Sequence, residues 1–311
     1  MNCTNNTKKN FLKVFVATFF MSLSAEAGEP IFGYIYSTDL MPKGKSEFEQ
    51  RVTGQRGQAH GVYNGVLMRS EIEYGITDDF QIAGYLNYDY INGKNNDTSG
   101  KTTAELIPAD HNPDDSYRAW QYRSTAVEFI YRILSPYKDP FGLAVYFEPY
   151  YGPRTREYEG RIILQKNFLD DRLVFAANIV AEYEKEKIAG TFGAEVGDDD
   201  FDAAWSKMVK FDTYLGVSYR FAANWSAGLE YRLHNDFDGH RVSRSNHTQL
   251  AHFAGPTIHY GGKNFFVTLA ALLQIQGRGL TEDEKENVRN TRIYGDHADV
   301  EALRLTFGIP F

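Results

Sequence analysis

The 311 residues carry a net charge of −8 and a mean hydropathy of −0.45, which speaks against both a helical membrane protein and a nucleic-acid partner. Yet 21 Tyr, 22 Phe and 27 Gly form the mix expected of alternating strands with aromatic girdles. The only cysteine, Cys3, stands near the amino terminus, so nearly the whole chain can hold neither a disulfide nor a cysteine-ligated metal.

In chain order, Lys8, Lys9 and Lys13 precede an apolar run from Val14 to Leu23, and Ala25-Glu26-Ala27 gives a small-x-small cleavage pattern. The run is about half of the roughly twenty residues needed to span a bilayer as a helix. Residues 1–27 are therefore expected to be a signal peptide, with Gly28 the first mature residue. Its removal takes away three lysines and one glutamate, leaving 284 residues with a net charge of −10.

Residues 28–45 contain a short aromatic stretch with Phe32, Tyr34 and Tyr36 on one phase, then a turn at Pro42-Lys43-Gly44. The segment could add a strand, plug a lumen or lie loose in the periplasm. From residue 46 to 311 two-residue alternation recurs. It predicts about twelve strands near 46–55, 61–75, 79–91, 120–134, 141–152, 157–168, 172–186, 206–222, 225–236, 248–260, 264–277 and 299–311. Tight connections alternate with long ones (92–119, 187–205, 237–247 and 278–298), as short periplasmic turns alternate with external loops. The expected fold is thus all-β, a transmembrane antiparallel up-and-down barrel. An even strand count favours a plug or a loose tail for residues 28–45.

From Val209 to Phe221 the odd positions are mostly apolar and would face lipid, while Lys210, Asp212, Tyr214, Gly216, Ser218 and Arg220 would point inward. Aromatics collect at the tight-turn ends: Tyr74, Phe80, Phe141, Phe168, Phe221, Trp225, Tyr260, Phe265 and Phe311. An amphipathic ring sits well at headgroup level, so these predict one interfacial girdle. A soluble sandwich also alternates, but it gives no reason for aromatics to gather at one side.

With the phases fixed, the charges fall on the inner face. Arg69, Glu71, Glu73, Glu128, Arg132, Glu148, Arg161, Asp212, Arg220, Glu230, Arg232 and Arg304 are the expected lumen lining. Unpaired charges in a dry core would be prohibitive, so these must be wet or paired. Neighbouring opposite charges suggest pairs of Arg69 with Glu71 and Glu73, Glu128 with Arg132, Glu159 with Arg161, and Glu230 with Arg232. Glu47, Glu49, Arg51, Asp89, Glu159, Glu182 and Lys210 share the inward phase, and with them carboxylates outnumber cations by eleven to eight. This predicts a modest cation preference for any pore, with Glu71, Glu128 and Glu148 among its carriers.

Catalysis is tested by the stretch from His234 to His247, which gathers His, Ser, Asp and Asn. A lipid-cleaving barrel needs its Ser and His facing lipid, whereas His234 falls on the inward phase and His240 to His247 lie in a loop. The expectation is no enzyme and no cofactor. Asp198-Asp199-Asp200-Phe201-Asp202 offers hard carboxylates for calcium but lacks the spacing of the known loop motif, so no metal is expected. His252 is the awkward residue, phased toward lipid near the external end.

Gly33-Tyr34-Ile35-Tyr36-Ser37-Thr38-Asp39-Leu40-Met41-Pro42-Lys43-Gly44, followed by Glu47 and Glu49, resembles the opening of a family of proteobacterial outer-membrane proteins of unknown function. The stretch from Arg69 to Ile82 continues the resemblance. It implies a barrel in the outer membrane of a Gram-negative bacterium and supplies no substrate or catalytic residue. A more distant likeness is to barrels encoded beside aromatic-degradation genes, a hint toward hydrophobic solutes. The functional expectation is a passive, porin-like channel for small solutes. The alternatives are a closed structural or adhesive barrel whose loops bind a partner, and a lipid-modifying enzyme. Expected partners are outer-membrane lipid and the barrel assembly machinery.

The closing strand ends on Phe311, which resembles the signal such barrels present to that machinery. Deleting Phe311 is expected to leave protein in the periplasm, with little in outer-membrane fractions. Normal recovery of heat-modifiable protein from the membrane would reject this role.

Overall fold

The computed structural model describes residues 30–57, 61–95, 112, 115–187, 205–294 and 301–311. The predicted signal peptide and the acidic cluster 198–202 lie outside them. Twelve strands close into one barrel: β1 (Ser46–Arg56), β2 (Val62–Thr77), β3 (Phe80–Lys94), β4 (Ser116–Leu134), β5 (Gly142–Tyr151), β6 (Thr155–Phe168), β7 (Leu173–Lys187), β8 (Trp205–Ala222), β9 (Trp225–Asp238), β10 (His247–Gly261), β11 (Phe266–Gly279) and β14 (Glu301–Pro310). Each pairs antiparallel with its chain neighbour, and the seam joins β1 to β14 from Glu47↔Pro310 to Arg56↔Glu301. Phe311 finishes the seam by exchanging backbone hydrogen bonds with Ser46 (2.8 and 3.3 Å). All twelve predicted strands are present, with ends shifted by a few residues.

Burial follows the two-residue phase. Along β11, Phe266, Thr268, Ala270, Leu272 and Gln274 are buried inside, while Leu269, Leu273 and Ile275 are exposed outside. No described helix is long and apolar enough to cross a membrane; the apolar outer wall belongs to strands. The aromatic belt at the short-turn end is exposed at Tyr74, Phe141, Phe168, Phe221, Trp225 and Phe265. A second set, Trp120, Tyr122, Tyr151, Tyr158 and Trp205, is exposed toward the opposite end and had no place in the single girdle expected. His252 does face outward, where its Nδ1 lies 2.7 Å from the Tyr231 hydroxyl. That partner satisfies a polar ring on an apolar wall.

The long connection after β11 has structure of its own. Helix α1 (Glu282–Glu286) is capped by Thr281, whose hydroxyl accepts from Glu284 N, and β12 (Val288–Arg289) pairs with β13 (Arg292–Ile293). This hairpin turns into the barrel. Ile293 is fully buried with Ala251, Phe253 and Leu272, and Gln274 Nε2 donates to its carbonyl at 3.1 Å.

Of the three courses open to the amino-terminal segment, residues 30–45 take the lumenal one. They neither add a strand nor lie loose, but run as a hoop round the inside of the barrel. The main chain passes β11, β14, β9, β7, β6, β4 and β3 in nearly spatial order before entering β1. Phe32 and Ile35 pack on Val174 and Ala176, and Leu40 packs among Ile130, Ala144, Tyr146 and Ile163. The inner wall therefore carries apolar patches where the hoop lies and is not charged throughout. Gly216 makes room: a Cβ there would meet Ile35 Cδ1 at 2.5 Å and Phe32 Cε1 at 2.8 Å. Gly33, in turn, lies against the Ala270 side chain.

Leu215 and Leu269 face outward at mid-strand, and arginine at either should cost about 2–4 kcal/mol in an unfolding titration in lipid vesicles. Arginine at Leu67, which faces open lumen, should cost much less. The neighbouring positions Gly216 and Ala270, otherwise natural inward controls, are covered by the hoop. Equal costs on the two faces would reject the inside–outside assignment.

Candidate functional site: a lumen cavity floored by the hoop

Apart from a β-bridge of Lys43 to Gly75 at its end, the hoop has no strand partner, so its backbone groups are satisfied by side chains of the wall. Glu230 accepts from Gly33 N and Tyr34 N (2.7 and 2.8 Å). Asn178 closes a two-way bond with Tyr36, accepting from its N–H and donating to its carbonyl, both at 2.8 Å. Gln165 accepts from Thr38 N at 2.7 Å, Gln81 from Met41 N at 2.7 Å, and Asp78 from Lys43 N at 3.1 Å. Wall donors serve the carbonyls: Thr268 Oγ1 reaches Pro30 O at 2.6 Å, Arg304 reaches Gly33 O at 2.9 Å, and Arg132 reaches Thr38 O at 3.3 Å. All of these anchors lie toward the short-turn end of the barrel.

Above this floor remains a cavity of about 310 Å³. Tyr34 and Tyr36 of the hoop line it from below, and Phe253 and Leu272, which pack with Ile293 of the infolded hairpin, line one side. Its charged lining comprises Arg51, Arg69, Arg123, Arg161, Arg232 and Arg304 against Asp89, Glu148, Glu157 and Glu159. The premise of cation preference therefore does not hold at the cavity surface. Glu71 and Glu128, two of its three expected carriers, are 1% and 0% exposed and lie outside the lining.

Of the expected lining residues, Arg69, Glu148, Arg161, Arg232 and Arg304 reach the cavity. Glu71, Glu73, Glu128, Asp212 and Glu230 take the inward phase but are buried in the wall or beneath the hoop. Arg132 and Arg220 lie near the short turns, outside the cavity. The pairing also differs from expectation. Arg161 does bind Glu159 (2.8 Å), but Arg232 pairs with Asp212 (2.7 Å) while Glu230 holds the hoop. Arg132 turns to Asp79 (2.9 Å), and Glu128 accepts from the Tyr36 hydroxyl (2.8 Å) instead. Arg69 bonds Asn87 at 3.3 Å and stacks over Tyr85 rather than pairing with Glu71 or Glu73. At Glu230, Glu128 and Arg69 a hoop atom or a ring occupies the place that strand spacing alone assigns to a counter-charge.

The sequence reading missed the amides that hold the hoop and the tyrosines of the cavity. The signal available was Gln81, Gln165 and Asn178 on the inward phase: a water-filled lumen has no need of carboxamides there, whereas a bare main chain does. His234 is buried with Nδ1 2.6 Å from Asp212 and Nε2 3.0 Å from Asp236, a wall position flanked by carboxylates. Glu157, Glu159 and Glu182 bring carboxylate oxygens within 4.8 Å of one another, but Lys210 already sits 2.8 Å from Glu182.

Residues 24–311 match a family described as of unknown function (DUF6662). No curated protein matches the chain. Among solved structures, the COG4313 outer membrane channel from Pseudomonas putida F1 aligns at TM-score 0.53 and 8% identity, covering 87% of this chain and 97% of that one. The NanC porin aligns at TM-score 0.47 and 12% identity, covering 84% and 98%. The KdgM porin gives 0.44 and 10%, covering 85% and 99%. At these identities the likeness is one of fold.

Replacing Glu230 with alanine removes the acceptor of two buried N–H groups, each worth about 1–3 kcal/mol when left unsatisfied. Amide exchange at Gly33 and Tyr34 should accelerate by about tenfold or more, and exchange at Met41, held by Gln81, least. Unchanged protection at Gly33 would mean that Glu230 does not hold the hoop.

Proposed function

We propose that this chain, which belongs to the DUF6662 family of unknown function, is an outer-membrane barrel that acts as a narrow, porin-like channel for small solutes. The supporting observation is the cavity of about 310 Å³ retained inside a closed barrel whose floor is a single strip of main chain. Twelve strands fall between barrels filled by side chains and those with a wide aqueous bore. In that range a hoop along the wall sets the bore. It narrows the lumen without filling it, because Phe32, Ile35 and Leu40 turn into the wall and Tyr34 and Tyr36 face the space. The outward apolar face with aromatic belts toward both ends suits a bilayer. Permeation in this reading is passive and non-enzymatic, with lipid outside and no cofactor within.

A second reading, a closed structural barrel with partner-binding loops, is favoured by one specific feature. The hoop from one end and the Ile293 hairpin from the other converge on Tyr34, Phe253 and Leu272. A structure stitched at both ends stabilises a wall and needs no flux.

Planar-bilayer recording separates the two. The channel reading expects small ohmic steps from the purified protein and larger steps after deletion of residues 30–42. A silent bilayer with both proteins, each shown to be folded by heat-modifiable mobility, would remove the channel reading and leave the structural one.

A further inference from the structure

The cavity is not charged evenly. Arg69 on β2, Arg51 on β1 and Arg304 on β14 occupy three adjacent strands, with Arg51 directly opposite Arg69, and Thr53, two residues along β1, opposite Arg304. Arg51 is held by Glu49 at 2.6 Å, with Glu71 at 3.9 Å. Among the described residues no carboxylate lies within ion-pair reach of Arg69 or Arg304. Each instead stacks on a tyrosine, Arg69 over Tyr85 and Arg304 over Tyr34, both 3.9 Å from guanidinium carbon to ring centre. The rest of their bonding is to neutral acceptors: Asn87 for Arg69 (3.3 Å), and Thr53 and the Gly33 carbonyl for Arg304 (3.0 and 2.9 Å).

This wall turns three guanidiniums and no carboxylate to the cavity: Glu49 and Glu71 are each only 1% exposed, and Glu47 and Glu73, nearer the short turns, are 1% and 8% exposed and outside the lining. The excess positive charge faces the cavity. The acidic lining residues come from other strands: Asp89 beside Arg123 at 3.5 Å, Glu159 bound by Arg161, Glu157 clustered with Glu159 and Glu182, and Glu148, which is bonded by the Tyr146 hydroxyl and acts on Arg69 only from beyond ion-pair distance. A planar guanidinium fixed against a ring keeps its outer N–H edge in a set direction, which suits a carboxylate. Leu67, Leu272, Phe253 and Ala302 line the cavity too, giving apolar surface for the rest of a solute.

We infer that the Arg51–Arg69–Arg304 wall is a binding site for a small organic anion, a carboxylate carried on an apolar body, held in transit through the lumen. The inference rests on the channel reading for its physiological sense and names the solute class of that same cavity. Binding itself does not require conduction.

The test is calorimetric titration of benzoate into the purified full-length barrel in zwitterionic detergent at low salt, with benzyl alcohol as the same ring without charge. Saturable benzoate binding is expected, with no saturation by benzyl alcohol. R69Q/R304Q should weaken benzoate by about tenfold or more, since charge-assisted hydrogen bonds to both guanidiniums are lost. R241Q, on the exposed loop after β9, should leave it unchanged. Equal binding of the two ring compounds, absent benzoate binding by the wild type, or full affinity in R69Q/R304Q would each overturn the site. The first two results come from unaltered protein, so a variant that fails to fold does not shield the proposal. Benzoate binding by a barrel that conducts nothing would sustain the site and remove the channel.

Discussion

Main chain running through the interior of a barrel has no neighbouring strand, and a buried N–H or carbonyl without a partner is costly. Everything distinctive about this lumen follows from meeting that demand over residues 30–45. Glu230, Asn178, Gln165 and Gln81 supply acceptors to four points along the hoop, and Thr268, Arg304 and Arg132 supply donors to three. Those side chains are then unavailable to neutralise others. Glu230 is taken from Arg232, which moves to Asp212, and Arg132 is drawn toward the turn at Asp79. The charge pattern of the cavity is the remainder left after the hoop has been bonded.

Packing answers the same demand. A hoop lying flat against a wall needs the wall to recede, and Gly216 and Ala270 are the small inner positions beneath Ile35, Phe32 and Gly33. Apolar hoop side chains tuck into that surface, each fully buried one contributing on the order of 1.5–3 kcal/mol. The tyrosines between them face open space, and Arg161 and Arg304 stack on Tyr36 and Tyr34 from above. Floor and cavity lining are therefore one structure, not two.

The barrel was readable in the sequence because strand phase is a local property. The alternation at Val209 to Phe221 says which side chains face out whatever the rest of the chain does, and the tight turns between strands set the order of pairing. Partners across the lumen are not local. Arg69 and Glu71 sit two apart on one strand and look like a pair, yet the geometry sends Arg69 to Tyr85 and Asn87 on β3. Residues 28–45 show the same limit. Their aromatic phase and the even strand count leave a plug or a loose tail, and nothing in the spacing reveals that the bonding partners lie at Gln165, Asn178 and Glu230, up to 197 residues away. The infolded hairpin at Val288–Ile293 was hidden for the opposite reason, being two short strands inside a polar loop.

The hoop also constrains the order in which the molecule can be built. Its bonds at Thr268 and Arg304 span 238 and 271 residues, so they can form only after nearly the whole chain is available. Contacts of such separation carry the full loop-closure entropy and are intrinsically slow. Once the β1–β14 seam has closed, the same segment would have to thread the short-turn mouth, carrying Phe32, Ile35 and Leu40 past the inner wall. A sheet that curls round the segment before the seam is sealed avoids this, and the amino-terminal strip then acts as a mandrel. The first part of the barrel domain to be synthesised would be the form on which the later strands are wound.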